Sequence, residues 1–555
     1  MFDIQCLSFD RVHRGRVTVS AFPLFRVPVE LFAQVVRYLS RSDLKSLALV
    51  DRDCCRLASL TLFKEVEVDI NSKSRQPLLD RNFTACSPSS IPHCIRRLDV
   101  SSPPSSTVST SSQTSINSKL SYEKHAAQSQ LIYSAIATSL SNLHILAWDG
   151  AFLSSALLQA LQRSSVKHLS LKGIVIDPED TYNISRPIPL ETLHLEIYDT
   201  VAQYPTHFFS QLLRCVSPTL RQLSWIGAAL TEDSMCCDPA VLQFPKLRSL
   251  TLDMISIDNP SLFHLLIGEN TKVQSLSMGS LTPSACAFFR TRGHIKSLTQ
   301  FCWINHISTD SILDDIVSFL QHNPQLETIQ LPKSVSPTFL EKSFFPLLKL
   351  HQYDDLTSLH LVWDAFEISE QSLHFLASIS TLRHLWLSAG NQGVRSTWHV
   401  DHESVINHLS PLHLLQTLAF SHDTYAIINA HPLSPRFCDY YATKALPCDL
   451  DISKYLTPDE FLIYQGKTAD YDLAVAHQIE MRRRAWENWH AERMVAIANK
   501  YAQTFEALSW CFIGQLPMGR SRFADEFSIV NDSLEREPCL SSLHKMLSMT
   551  IWRPV

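Results

Sequence analysis

Twelve times between Ile95 and Phe420 the chain repeats one six-residue phrase: apolar, two variable, apolar, one variable, apolar. Clear copies are Val166-Leu169-Leu171, Leu190-Leu193-Leu195, Leu220-Leu223-Trp225, Leu247-Leu250-Leu252, Val273-Leu276-Met278 and Leu298-Phe301-Trp303. They continue through Leu326-Ile329-Leu331, Leu356-Leu359-Leu361, Leu382-Leu385-Leu387 and Leu415-Leu418-Phe420, and weaker copies open the series at Ile95-Leu98-Val100 and Leu143-Leu146-Trp148. From Leu143 onward the first positions are 23, 24, 30, 27, 26, 25, 28, 30, 26 and 33 residues apart. A repeat of that period marks units that cannot bury their apolar edge alone and stack to share a core. Side chains alternate across a strand, so the phrase predicts one short strand per unit with its leucines turned inward. Helical patterns at 157–163, 207–216, 261–268 and 310–322 fall between the phrases. The expected fold class is an α/β solenoid, with strands lining a concave face and helices a convex one.

Composition bounds what such a chain can do. Hydrophobic content is 45%, charged content 18% and formal net charge −6, which fits an ordered chain without a nucleic-acid or membrane field. With only 12 glycines, phosphate-cradling loops are not a theme. The opening residues lack the apolar core of a secretory signal, and no run of 18 apolar residues is present. The 14 cysteines form no CxxC pair, and Cys54-Cys55 and Cys236-Cys237 are adjacent, so reduced thiols in cytoplasm or nucleus are expected.

Along the chain, residues 1–24 read as an N-terminal extension and 25–68 as a compact helical unit. Pro28 suits a first helical position. Leu31, Phe32, Val35, Val36 and Leu39 follow helical spacing. Ser42 or Asp43 is expected to cap a second helix with Leu44, Leu47, Ala48 and Val50. Asp51 is expected to cap a third, with Cys54, Cys55, Leu57, Ala58 and Leu60 packed inward. Residues 69–135 hold the first weak repeat and a Ser/Thr/Pro-rich insertion, expected to be disordered because it cannot bury enough apolar area. The main array spans 136–435. In 436–555, residues 440–470 read as irregular with Pro447 and Pro458, 470–500 as one long helix, and Phe505-Leu508-Trp510 as a final strand phrase.

No catalytic pattern is present: there is no GxSxG, HExxH or GxGxxG. Gly514 to Ser521 only approximates a phosphate loop, with Arg520 where Lys is required and Pro517 stiffening the turn. It reads as the exit from the last strand. No cofactor and no metal are expected. The strand register places His168, His194, His360 and His384 outward on the concave face, on different repeats, where they cannot converge on an ion. They read as solvated surface or as substrate contacts. Trp386 falls between Leu385 and Leu387 and therefore points outward, either as a binding anchor or beneath a flanking loop. Trp148, Trp225, Trp303 and Trp510 take inward phrase positions and read as core.

Residues 25–66 resemble an F-box. Val27-Pro28-Val29-Glu30-Leu31, Asp43-Leu44 and Val50-Asp51-Arg52 follow the family's Leu-Pro-x-Glu-Leu start, Asp-Leu second helix and Val-Cys/Ser-Arg/Lys step. Leu62-Phe63-Lys64 with Val66, and the segment from Leu508 to Met518, look like endings of fungal members that carry leucine-rich repeats. Asp51 departs from the usual small or thiol residue, and Cys54 stands where an aromatic is common. The resemblance implies a leucine-rich-repeat horseshoe, preceded by a small three-helix F-box and closed by a long C-terminal helix and last strand. It implies that Pro28, Leu31, Val35, Leu39, Leu44, Leu47 and Val50 form the face for a Skp-type adaptor, or the core behind it. The adaptor would link to a cullin–RING ligase while the repeats hold an unknown protein substrate. The chain would then be a non-catalytic substrate receptor. The alternative is an interaction scaffold outside any ligase. No nucleic acid and no membrane are expected as partners.

Overall fold

The computed structural model describes residues 29–50, 52–69, 91–101, 127, 129–150, 152–173, 175–176, 186–197, 208–230, 243–257, 266–267, 271–279, 283–304, 310–351, 353–390, 398–421, 423–424, 430–432, 445–447, 449–465, 471–521 and 526–530. The 1–24 extension, Pro28, Asp51, nearly all of the Ser/Thr/Pro-rich insertion and most of the expected 261–268 helix lie outside them. The chain divides into two compact units, one holding Met1–Leu247 and Met254–Leu266, the other Arg248–Asp253 and Ile267–Trp552. The boundary falls inside the 136–435 stretch.

The first unit opens with helices Val29–Tyr38, Arg41–Ala48 and Arg52–Leu62. Ser40, not Ser42 or Asp43, caps the second helix. Its Oγ accepts the Asp43 N–H at 3.2 Å, and the Asp43 carboxylate accepts the Ser40 N–H at 3.3 Å. This capping box satisfies two orphan donors at once, which favours a start two or three residues earlier than the Asp-Leu step suggested. Val36 and Leu44 form the small core, with Leu39, Leu47, Leu57 and Leu62 packed around it. Cys54 and Ala58 are buried, but Cys55 is exposed, because it follows Cys54 by one residue and turns about 100° off the inward stripe.

Strands Glu65–Asp69, Arg97–Ser101, Ile145–Asp149, His168–Lys172, Thr192–Glu196 and Gln222–Leu230 then pair in parallel, in chain order. Glu65–Asp69 was not expected as a strand. It pairs Val66 with Leu98, one repeat before the first phrase. Leu98, Leu146, Leu169, Leu193 and Leu223 stand directly beside one another. Helices Ser155–Arg163 and Phe208–Val216 lie between strands, as the periodicity predicts.

In the second unit, the first part of strand Ser249–Ile257, through Asp253, and strands Ser275–Met278, Gln300–Trp303, Thr328–Val335, Ser358–Trp363, His384–Ser388, Thr417–Ser421 and Trp510–Ile513 pair in parallel. Leu250, Leu276, Phe301, Ile329, Leu359, Leu385 and Leu418 share one register line. Helices Pro283–Arg292, Asp310–Gln321, Glu370–Ala377 and His402–Leu409 alternate with the strands. Across both units no apolar residue of the twelve phrases is more than 3% exposed. Each such side chain stabilises its unit by roughly 1.5–3 kcal/mol. Parallel strands alternating with helices at this period make each unit an α/β repeat structure of the leucine-rich kind.

A second device ties repeat to repeat. The residue before the first phrase position often donates a side-chain hydrogen bond to a backbone carbonyl of the preceding repeat. Ser165 Oγ reaches Leu143 O at 2.9 Å, Thr219 Oγ1 reaches Leu190 O at 2.7 Å, Ser297 Oγ reaches Val273 O at 2.8 Å and Thr381 Oγ1 reaches Leu356 O at 2.6 Å. Gln325 Nε2 reaches Ile295 O at 2.9 Å. Beside it, buried Asn323 donates to Gly293 O and Phe319 O at 2.6 and 2.8 Å and accepts the Ile295 N–H at 2.9 Å.

The end of the second unit corrects two expectations. Pro458 does not mark irregular chain. It is the first residue of helix Pro458–Tyr464, capped by Thr457 in a capping box with Glu460. Inside a helix Pro lacks a needed donor and its ring clashes with the carbonyl one turn back, but at the first turn no donor is needed and no such carbonyl precedes it. The final phrase is Leu508-Cys511-Ile513, three residues later than Phe505-Leu508-Trp510. Cys511 pairs with Leu418, which sends Trp510 beside Thr417, on the sheet face away from the leucines. Trp510 is therefore buried with Trp386, Ala419 and Phe512 instead of in the leucine core. Strands Leu516–Arg520 and Phe527–Ile529 extend the sheet in antiparallel fashion. The long helix runs Tyr471–Thr504, and no helix among the described residues is long and apolar enough to cross a membrane.

Candidate functional site

Two surfaces carry the candidate residues. The first is the three-helix segment. Amphipathic spacing puts Val36 and Leu44 inside, and among the described residues five large apolar side chains remain outside: Leu31 and Val35 about half exposed, Val50 likewise, and Tyr38 and Leu49 at 89% and 88%. Of the sequence-named set, Leu31, Val35 and Val50 are thus exposed, Leu39 and Leu47 are half-buried, and Leu44 is core. Three short helices with so small a buried centre leave apolar area that water does not favour. Sequence reasoning missed Tyr38 and Leu49. Tyr38 lies three residues beyond Val35 on the same helix face, a signal that was available.

The second surface is the sheet face opposite the leucines, and the outward register of His168, His194, His360, His384 and Trp386 is observed. The solvated reading fails for His194 and His360, and of the two readings of Trp386 the covered one holds. His194, His360 and Trp386 are buried, and only His168 and His384 are half-buried. The reason is the spacing of strands, about 4.8 Å, which puts each outward side chain against its neighbours in register. His360 and Trp386 lie flat together, 3.7 Å between ring centres at 4°. Trp386 Nε1 donates to Ser421 Oγ at 2.8 Å. His168 Nδ1 meets Thr192 Oγ1 at 3.0 Å, His194 Nδ1 meets Ser224 Oγ at 2.9 Å, and His384 Nδ1 meets Thr417 Oγ1 at 2.8 Å.

Burial sets the charge state of these rings. It holds His194 down to about 4, against the pull of Glu196. The 3.6 Å approach of His194 Nε2 to Glu196 is therefore a contact of a neutral ring near neutral pH. His168 and His384 are lowered by the same cause. Among the described residues, no group of three or more His, Cys, Asp or Glu can hold a metal ion. The candidates stay dispersed along the strands, and what they present is a polar, hydrogen-bonded face in the first unit and an aromatic one in the second. The segment from Gly514 to Ser521 forms a hairpin: Gly514 and Gln515, with φ of 62° and 63°, turn Trp510–Ile513 into Leu516–Arg520. That is a two-residue turn with both centres left-handed, and it is no phosphate cradle.

No family model and no curated protein matches this chain. Among solved structures, a leucine-rich-repeat protein of Leptospira interrogans superposes with a TM-score of 0.27 at 14% identity, covering 71% of this chain and 93% of that one. A superposition that loose carries no argument, and the repeat assignment rests on the strand register itself.

Proposed function

We propose that the chain is the substrate-recognition subunit of a Skp–cullin–F-box ubiquitin ligase. The observation that carries this reading is the exposed apolar set Leu31, Val35, Tyr38, Leu49 and Val50 on a three-helix segment whose sequence resembles an F-box. A helical adaptor that covers these side chains would remove apolar area from water at roughly 25 cal/mol per Å². The repeats would hold the substrate through the less buried parts of the outward strand face, His168 and His384 among them. The chain would supply proximity, raising the local concentration of a substrate lysine at a charged thioester carried by an associated enzyme. Catalysis would belong to that enzyme. The test is affinity capture of the chain followed by identification of its associates. Adaptor and cullin together support the reading. Adaptor without cullin favours a scaffold acting outside a ligase. Recovery of neither contradicts both.

A further inference from the structure

One polar cluster in the second unit belongs to neither candidate surface. Asp423, in the short strand Asp423–Thr424, is 3% exposed. Its Oδ2 accepts the Gly514 N–H at 2.7 Å, and its Oδ1 accepts Gln515 Nε2–H at 3.3 Å. From the other side, His490 on the helix Tyr471–Thr504 donates Nε2–H to Gly514 O at 2.7 Å, with its ring stacked on Trp486. Two elements therefore grip opposite edges of one dipeptide. The grip is close: a Cβ on Gly514 would stand 2.3 Å from Met494 Sδ and 2.9 Å from His490 Cε1.

We propose that Asp423, the Gly514–Gln515 turn and His490 form a proton-operated latch that fastens the closing helix and its hairpin to the last repeat, tightest when Asp423 carries a proton. Only neutral donors serve the carboxylate: the Gly514 N–H, its own backbone N–H and the Gln515 amide. Among the described residues no cation is paired with it. The titratable groups nearby are the Tyr501 hydroxyl and His490 on the helix and the Cys511 thiol on the last strand. His402 reaches the cluster through Tyr501, 3.1 Å from its hydroxyl. None of these offers a fixed positive charge. Protonated Asp423 keeps the Gly514 bond through its carbonyl oxygen, and its own O–H can serve a turned Gln515 amide oxygen. Ionised, it keeps these N–H bonds but leaves in the core a charge with no cation paired to it among the described residues, which they offset only in part.

The direction of the effect follows. Burial raises the Asp423 carboxyl from 3.8 to about 7. An opened latch exposes an ordinary carboxyl, so latching is strongest below about pH 4, weakens as pH rises toward 7 and is constant above. The expected change between pH 6 and pH 8 is about tenfold in the latching equilibrium.

Hydrogen exchange on the full chain, corrected for intrinsic rates, reads this directly. Protection of amides in 490–504 and 510–516 should fall about tenfold from pH 6 to pH 8, while the mid-array strand Gln300–Trp303 keeps its protection. Asp423→Asn should flatten the profile. A wild-type profile with no step, or an Asn variant with the same step, overturns the latch. The wild-type series decides the question even where the variant folds poorly.

Discussion

The three-helix segment and the strand array use apolar residues in opposite ways. In the array, leucines of neighbouring repeats stand in register and none of the phrase residues exceeds 3% exposure. In the helical segment, a core of Val36 and Leu44 is ringed by side chains that remain in water, with Tyr38 and Leu49 nearly free. The array is self-sufficient because each repeat covers the next. The helical segment lacks enough chain to cover itself. The same residue type therefore closes a shared core in one region and is left facing water in the other.

Substitutions can break this contrast. Leu385→Ala, at a fully buried phrase position, should cost about 2–5 kcal/mol in denaturant titration. A loss below 1 kcal/mol would mean that the register line is not a shared core. Asn323→Ala should cost about 1–3 kcal/mol, because it strands the Ile295 N–H and the Gly293 carbonyl. Asn323→Asp should not rescue it, since the carboxylate cannot donate to Gly293.

Acid should act on the array as well. His194 and His402 are held to about 4 by burial, while the unfolded chain protonates them near the usual 6.5. Stability from this source is full above about pH 6.5 and declines as pH falls toward 4, on the order of 2 kcal/mol per ring. Denaturant titrations of wild type and of the His194→Gln, His402→Gln double variant at pH 7 and 4.5 check it. The variant should lose less on acidification.

Ser297→Ala should cost only about 0.5–1.5 kcal/mol, the worth of one link to the Val273 carbonyl. Leu31→Ala, about half exposed, should change stability by less than about 0.5 kcal/mol. A larger effect would make Leu31 part of a core and remove it from any docking face.

The contrast also explains what the sequence could and could not reveal. The leucine positions were legible residue by residue, because an inward strand face tolerates little else. The last phrase was misread because Trp510 satisfies the pattern as well as Cys511 does, and only pairing with Leu418 decides between them. Helix Pro458–Tyr464 was hidden by a proline whose role depends on the Thr457 cap before it. The outward register of His360 and Trp386 was legible, but their burial was not, since it arises from a neighbour two dozen residues away. The carbonyl links of Ser165, Thr219, Ser297 and Thr381 recur at one phrase offset, yet they acquire meaning only once the repeats are stacked.

The decisive measurement is binding of the purified chain to a purified Skp-type adaptor by calorimetry, beside the Leu31→Asp, Val50→Asp double variant. The account predicts micromolar or tighter binding by the wild type, with at least about a hundredfold loss, roughly 2.7 kcal/mol, in the variant and an unchanged unfolding midpoint for the array. No binding by the wild type, or equal binding by both proteins, would contradict it.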